Sequence, residues 1–292
     1  MTQVCVVGSV NMDITCDVGA LPRPGETVLA SSLSYAPGGK GGNQAVAAAR
    51  AGAHVQFVGA VGDDAAAEPL RAHLSANGVG LDATVAVAGP SGTAIIVVDA
   101  GADNTIVVAP GANGRLTLTA AATRAVVAGC DVLLTQLEIP ICTAVVAARE
   151  AKASGAVVIV NVSPCGQERS ALAELAELAD VVVANEVEAE ELPWRPNHLV
   201  TTLGARGARY VSPDDELWIP APTVSAVDTT GAGDVFAGVL AAHWPREPGS
   251  RAQRLAALQR ACTAAALSTL VAGAGDCAPD AEAIDAALPG PI

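Results

Sequence analysis

DVLLTQLEIPICTAVVAAREAKASGAVVIVN, residues 131–161, decides the fold. A β-rich apolar run over 131–136 gives way to an Ala-rich run over 140–154, and a second β-rich run follows over 157–161. Strand, helix, strand in that order is a βαβ unit, which belongs to a mainly parallel sheet covered on both faces. The same alternation extends outward in both directions. Further strands are predicted at 4–8, 55–60, 181–184, 198–202 and 209–211, and further helices at 42–51, 65–77, 119–128, 231–242 and 251–271. The fold class is therefore α/β, a three-layer α/β/α arrangement.

Two regions break this rhythm. Residues 14–35 and 84–108 read as strand-turn-strand with no intervening helix, the second carrying AIIVVDAGADNTIVV around a glycine-containing turn. Together they predict a small antiparallel sheet, fed by two separate insertions and lying over one edge of the larger sheet as a lid. No low-complexity linker divides the chain, so residues 1–292 are expected to form a single domain carrying that lid.

Composition narrows the function classes. With 292 residues, 51% apolar and 16% charged, the chain has ample material for a core, and collagen, coiled coil and wholesale disorder are excluded. Lysine plus arginine number 16 against 30 aspartate plus glutamate, a net charge of −14 that repels nucleic acid and anionic membranes. The longest uncharged stretches are too short to span a bilayer, and the start, MTQVCVVGSVNMD, reads as a first strand instead of a signal peptide. Seven widely spaced cysteines with no CxxC pair, and only four histidines, point to buried free thiols in a reducing cytosol.

In open α/β sheets, ligands bind beyond the carboxyl ends of the strands. Polar residues recur there: Asn11 and Asp13 after the first strand, Glu138 after DVLLTQL, Asn185 and Glu188 after VVVA, and Thr202 with Gly204 after the next strand. Any one of them alone would read as a turn former or helix cap. Their repetition along one sheet edge is what points to a site. The segment APGGKGGNQAVAAARAG places Gly38, Gly39, Gly41 and Gly42 around Lys40, one of only two lysines, and those glycines permit close backbone approach to a ligand. Neither GxxxxGK[ST] nor a GxGxxG after the first strand is present, which weakens P-loop and dinucleotide readings. In VDTTGAGDVFAGVLAAHW, Gly231-Ala232-Gly233-Asp234 opens a small-residue helix whose first amides form an anion cradle suited to phosphate. Asp234 by itself would be an ordinary dipole-complementing carboxylate, but beside such a cradle it is placed to take a proton from an attacking hydroxyl.

The segments GSVNMD, GGKGGNQA, QLE, NEVEAEEL, TLGARG and VDTTGAGD, in this order between about residues 4 and 279, resemble the ribokinase group of carbohydrate kinases, of phosphofructokinase-B type. That resemblance implies a Rossmann-like domain with a β lid and transfer of the ATP γ-phosphoryl group to the 5-hydroxyl of D-ribose. A kinase for 2-deoxyribose, another sugar or a nucleoside is the alternative within the class, and a non-catalytic sugar- or nucleotide-sensing module is the alternative outside it. By the same resemblance, Asn11, Asp13, Gly39, Lys40, Asn43 and Glu138 hold the sugar, and Asp234 is the catalytic base, with the amides of Gly231, Ala232 and Gly233 facing the transferring phosphoryl group. Thr202 and Gly204 correspond to nucleotide-phosphate contacts, as does Asn185, which with Glu188 also marks the magnesium region, acting through water. A potassium site is implied at Asp228, the Thr230 carbonyl and the loop of Ser268, Val271 and Gly273, with Cys277 standing where the family has a serine hydroxyl. A homodimer formed through the lids is also expected, in the cytoplasm, with no nucleic acid or membrane partner.

Overall fold

The computed structural model describes residues 1–101, 103–246 and 249–288; Ala102, within the second insertion, lies outside them. The chain begins with β1 (Gln3–Val7), β2 (Asn11–Asp17), β3 (Ser32–Gly38), α1 (Lys40–Arg50) and β4 (His54–Val58). It continues through β5 (Ala60–Val61), α2 (Ala67–Ala76), β6 (Val85–Ala86), β7 (Gly92–Val98), β8 (Asn104–Ala109) and α3 (Ala121–Ala128). The central βαβ unit is β9 (Val132–Thr135), α4 (Ile141–Ala153) and β10 (Val157–Asn161), followed by α5 (Arg169–Leu178), β11 (Val181–Asn185), α6 (Glu186–Glu191) and β12 (His198–Thr202). Last come β13 (Ala208–Val211), β14 (Glu216–Ile219), α7 (Ala232–His243), α8 (Arg251–Ser268) and α9 (Ala281–Ala287).

Eight strands form the main sheet in the order β14-β13-β12-β11-β10-β9-β1-β4, parallel from β12 to β4 and antiparallel at the β13 and β14 edge. Alternate residues of one strand enter different cores. Val4 and Val6 pack with α1 and α7, whereas Cys5 and Val7 pack with residues of α3 and α4. Burial on both faces explains why the central strands read as unbroken apolar runs.

The second sheet has the order β3-β2-β7-β8, with β2 and β7 parallel and its other pairs antiparallel. It differs from the sequence expectation in three respects. The β2 and β7 pair is parallel where the sequence reading has an antiparallel sheet, because these two strands come from separate insertions linked by a long crossover and not by a hairpin. The sheet's first strand begins at Asn11, three residues earlier, because Asn11 already pairs with Gly38 and Gly92. Val85–Ala86 does not join it but pairs with Ala60–Val61 beside the main sheet. Register assigns its two faces. Asp13 lies in one row with Ala36 and Ala94, while Ile14, Tyr35, Ile95 and Val107 form a row on the opposite face. Tyr35 and Val107 on that outer face are 63% and 60% exposed.

Four elements, α5, α6, β14 and α9, have no counterpart in the sequence-derived alternation. Helix α8 also stops at Ser268, short of the expected 271: the amides of Thr269, Leu270 and Val271 bond three residues back, at 3.2, 3.1 and 3.2 Å, and the Thr269 carbonyl accepts from the amides of Val227 and Asp228 at 2.7 and 3.1 Å. All seven cysteines are free, but Cys142 and Cys165 are exposed and Cys16 is half-buried, so the expectation of buried thiols fails for these three. Among the described residues, no helix is long and apolar enough to cross a membrane.

Candidate active site

The chain crosses from one sheet to the other through Gly8-Ser9-Val10, and this crossover is the floor of the site. Asn113 splints it: its Oδ1 accepts from the Val10 amide at 3.0 Å, and its Nδ2 donates to the Val10 carbonyl and to Asn11 Oδ1 at 3.1 and 2.8 Å. The glycine-rich segment lies flat against the crossover. Gly39 has φ +87°, and a Cβ there would stand 2.6 Å from the Asn11 nitrogen; one on Gly41 would stand 2.7 Å from Ser9 backbone atoms. These two glycines therefore serve the approach of chain to chain, a requirement that adds to the ligand approach expected from the sequence. At Gly38 a Cβ would fall on the Asp13 carboxylate, so its absence seats that side chain.

Glu138, just past β9, meets the same segment. Its Oε2 accepts from Ser9 Oγ at 2.6 Å and from the Lys40 amide at 3.4 Å. Burial, followed by the neighbouring charges of Glu138 and Asp234, pushes the Asp13 carboxyl up to about 7. Burial alone would lower the Lys40 ammonium, but Asp234, Glu138 and Glu188 together outweigh it and raise it. Asp13, Lys40, Glu138 and Asp234 thus form one electrostatic cluster, and a lone cation among several carboxylates suits a neutral ligand rich in hydroxyls.

Asp234 reaches this cluster because α7 packs tightly on α1. A Cβ on Gly238 would collide with the Gln44 carbonyl and stand 2.8 Å from the Ala47 Cβ, so only glycine permits this separation. The approach lets Asn43 Nδ2 donate to Asp234 Oδ2 at 3.0 Å and Gln44 Nε2 donate to Oδ1 at 2.9 Å. Gly231 caps α7 in the left-handed region at φ +79°, against Ala274. The first intrahelical bond runs from the Val235 amide to the Gly231 carbonyl, leaving the earlier amides at the helix mouth; that of Ala232 bonds the Thr229 carbonyl at 3.3 Å.

On the far side of the α7 mouth lies a cavity of about 590 Å³. Asn185, Thr202, Gly204, Ala232 and Gly233 line its polar end, and Phe236, Cys262, Ala265 and Ala266 belong to its apolar part. A polar mouth and an apolar slot of this volume fit a nucleotide. Asn185 and Glu188 form a reciprocal capping box at α6, Oδ1 accepting from the Glu188 amide at 2.9 Å and Glu188 Oε2 from the Asn185 amide at 2.8 Å. One oxygen of each is thereby committed, which fits a hydrated magnesium ion held through water better than one bound directly.

Asp228 ties the 270s loop to the same helix mouth. Its two oxygens accept from the amides of Thr230 and Gly273, each at 2.8 Å; burial raises its carboxyl, but the Gly273 amide and the Thr230 hydroxyl and amide outweigh burial and hold it below the usual range. Ser268 Oγ donates to the Ala265 carbonyl at 2.8 Å, the Ser268 carbonyl accepts from the Val271 amide at 3.2 Å, and the Val271 side chain is exposed. Cys277 Sγ lies 3.3 Å from the Ala274 carbonyl and 3.9 Å from that of Thr230, and burial raises its thiol. Oxygen donors here fit a hard monovalent cation, but a neutral thiol does not.

The structure therefore gathers Asp13, Lys40, Asn43, Glu138 and Asp234 on one side of the α7 mouth and the 185, 202, 204 and 232–233 positions on the other. The sequence analysis did not single out Ser9, Gln44 or Asn113. Gln44 stands inside the quoted GGKGGNQA, but its partner is fixed only by the α1 and α7 contact.

Comparison with known proteins gives the family. The model of the pfkB family carbohydrate kinases matches residues 1–281. The chain belongs to that family. This kinase is 40% identical over 254 residues to the ribokinase of Bacillus subtilis, covering 82% of this chain and 85% of the relative. It is 32% identical over 265 residues to a deoxyribokinase of Salmonella typhi, covering 83% and 85%. The structure of Arabidopsis thaliana ribokinase complexed with ribose and ATP superposes with a TM-score of 0.88 at 28% identity, covering 98% of each chain. The kinase thus has the ribokinase-like α/β fold, and as a sugar kinase it is a phosphotransferase acting on an alcohol.

Proposed function

We propose that this kinase transfers the γ-phosphoryl group of ATP to the 5-hydroxyl of D-ribose, giving ribose 5-phosphate and ADP. The observation that carries the reading is the position of Asp234. Its carboxylate stands between the Asp13, Lys40, Asn43 and Glu138 cluster and the nucleotide-sized cavity behind the α7 mouth. Asn11, Asp13, Gly39, Lys40, Asn43 and Glu138 hold the sugar hydroxyls, and Asp234 accepts the proton of the attacking hydroxyl as the new O–P bond forms and the bond to ADP breaks. The amides of Gly231, Ala232 and Gly233 face the charge that develops on the transferring group, whose loose transition state makes positioning and charge stabilisation the main contributions. Thr202, Gly204 and Asn185 receive the nucleotide phosphates.

Magnesium bound with ATP in the Asn185 and Glu188 region supplies neutralisation of phosphate charge. A potassium ion at Asp228, the Thr230 carbonyl and the 268–273 loop would steady the helix mouth, with Cys277 as its weak point. The small sheet acts as a lid that excludes water from the closed site. Its apolar outer row of Ile14, Tyr35, Ile95 and Val107 is covered by a second copy in a homodimer, since exposed sheets of this kind must be paired or protected. The free cysteines support a cytoplasmic setting.

The similarity to a deoxyribokinase keeps 2-deoxyribose as the second reading; Asn11 and Asp13 favour the full ribose diol, because a site built to bond a hydroxyl rejects analogues lacking it. A coupled ADP assay over pentoses, hexoses and nucleosides, with and without potassium, tests the proposal: ribose gives the highest kcat/KM, and no turnover of any pentose refutes it. Asp234→Asn separates enzyme from sensor, with ribose binding retained and phosphorylation reduced by orders of magnitude.

A further inference from the structure

Bonded to Asp234 stands a row of buried amide side chains to which the reaction assigns nothing. Gln136, after β9, donates from Nε2 to Gln44 Oε1 at 2.6 Å. Gln44 donates from Nε2 to Asp234 Oδ1 at 2.9 Å and to Asn161 Oδ1 at 3.0 Å, and Asn161 Nδ2 donates to the Val183 carbonyl at 3.2 Å. Gln44 and Gln136 are both 0% exposed, and Asn161 is buried at the end of β10. Core amides are costly unless bonded, and an apolar core would fill the same space at lower cost.

The order of donors in this row has only one solution. The Asp234 carboxylate accepts, so the Gln44 nitrogen must face it; Gln44 Oε1 must then be fed by a donor, and Gln136 Nε2 supplies it. This orientation leaves Gln136 Oε1 buried with no hydrogen-bond partner, directed at Gly8, where a Cβ would fall on that oxygen. The molecule tolerates an orphaned carbonyl oxygen and a Cβ-free strand end to keep the Gln136 donor aimed at Gln44.

We propose that Gln136 and Gln44 form a two-amide relay whose function is to position the Asp234 carboxylate, so that Gln44 is a positioning residue for phosphoryl transfer and Gln136 acts through it. The relay runs between the carboxyl ends of β9 and β10 and the start of α7, tying the orientation of the base to the sheet and not to either substrate. The inference rests on Asp234 being the base. With Asn43 on Oδ2 and Gln44 on Oδ1, the carboxylate is held at both oxygens, and releasing one lets it swing about its Cβ–Cγ bond while sugar contacts from Asp13, Lys40 and Glu138 remain.

The test is steady-state kinetics on Gln44→Met, Gln136→Met and their double variant, beside Asp234→Asn, with ribose affinity measured by calorimetry and folding by thermal melting. Methionine conserves volume and removes the donor. Gln44→Met should lower kcat tenfold to a hundredfold, as misplacement of a catalytic group does, with ribose Kd and nucleotide KM within about twofold of wild type. Gln136→Met should lower kcat severalfold, and the double variant should be no worse than Gln44→Met, because the upstream amide acts only through Gln44. Wild-type kcat in a folded Gln44→Met, or additive losses in the double variant, overturns the relay. A loss confined to melting temperature or ribose Kd also overturns it. Full activity in Asp234→Asn refutes the base assignment instead, so the two failures are distinguishable.

Discussion

Replacing Gly39 by alanine separates two reasons a glycine can be required. Its φ of +87° with ψ of +138° lies in a region essentially reserved for glycine, a strain of about 1–3 kcal/mol for an L side chain. Its Cβ would also lie 2.6 Å from the Asn11 nitrogen and 2.9 Å from the Val10 Cα, atoms of a crossover splinted by Asn113 that cannot swing aside. Overpacking of this kind adds about 1–3 kcal/mol. Gly52 provides a control at positive φ, +95°, with nothing within 4 Å of a Cβ. After allowing for the reduced freedom of the unfolded alanine chain, ~0.4–1 kcal/mol, we expect about 3 kcal/mol of destabilisation at Gly39 and about 1 kcal/mol at Gly52. At ~2.1 cal/mol/K of unfolding entropy per residue, these are drops in melting temperature of roughly 5 °C and 2 °C. Calorimetry measures both, and coupled kinetics should show a raised sugar KM for Gly39→Ala alone, because the displaced segment carries Lys40 and faces Asn11. Equal melting shifts for the two variants, or an unchanged sugar KM in Gly39→Ala, would refute the argument that chain-to-chain contact is what requires Gly39.

Asp13, with a carboxyl at about 7 in the folded protein, binds a proton that the unfolded chain has released above pH 4; its contribution to stability without ligand therefore falls as pH rises from about 4 through 7. Because the ionised form accepts from sugar hydroxyls, ribose affinity measured by calorimetry should tighten as pH rises through 7, and Asp13→Asn should remove both slopes; a flat wild-type affinity from pH 6 to 8 contradicts this. Introducing Tyr35→Glu with Val107→Glu on the outer row of the lid should turn a dimer into a monomer in light scattering at micromolar concentration, and a wild-type monomer under the same conditions rules the lid interface out. Cys277→Ser offers a hydroxyl in place of a thiol and should raise the ratio of rates with and without potassium severalfold while leaving the melting temperature within ~2 °C. An unchanged ratio removes Cys277 from the cation's surroundings.

Periodicity made the α/β class and most of the helices and strands legible, because a strand buried on both faces writes a continuous apolar run and a covering helix an alanine-rich one. The omissions have physical causes. β14 is a four-residue edge strand, ELWI, alternating exposed and buried, and too short to stand out from a loop. α6 is six residues, four of them glutamate, and has no apolar stripe to read; its helix is set by the Asn185 and Glu188 capping box. α5 does carry Leu172 and Leu175 at helical spacing, but they become buried only against α4. In the second insertion, two residues of β-forming sequence at 85–86 could have joined either sheet, and pairing with β5 decided it.

From sequence alone came the residue types of the site, their order, and their collection at the carboxyl edge of a parallel sheet, because motif chemistry and the handedness of βαβ units are local properties of the chain. Only the tertiary structure decided which atoms meet. The α1 and α7 contact across Gly238 sets Asn43 and Gln44 on the two oxygens of Asp234, and the crossover adds a packing requirement at Gly39 and Gly41. Hydrogen bonds between residues 190 positions apart depend on fractions of an ångström in helix separation, and no pattern along the chain encodes that distance.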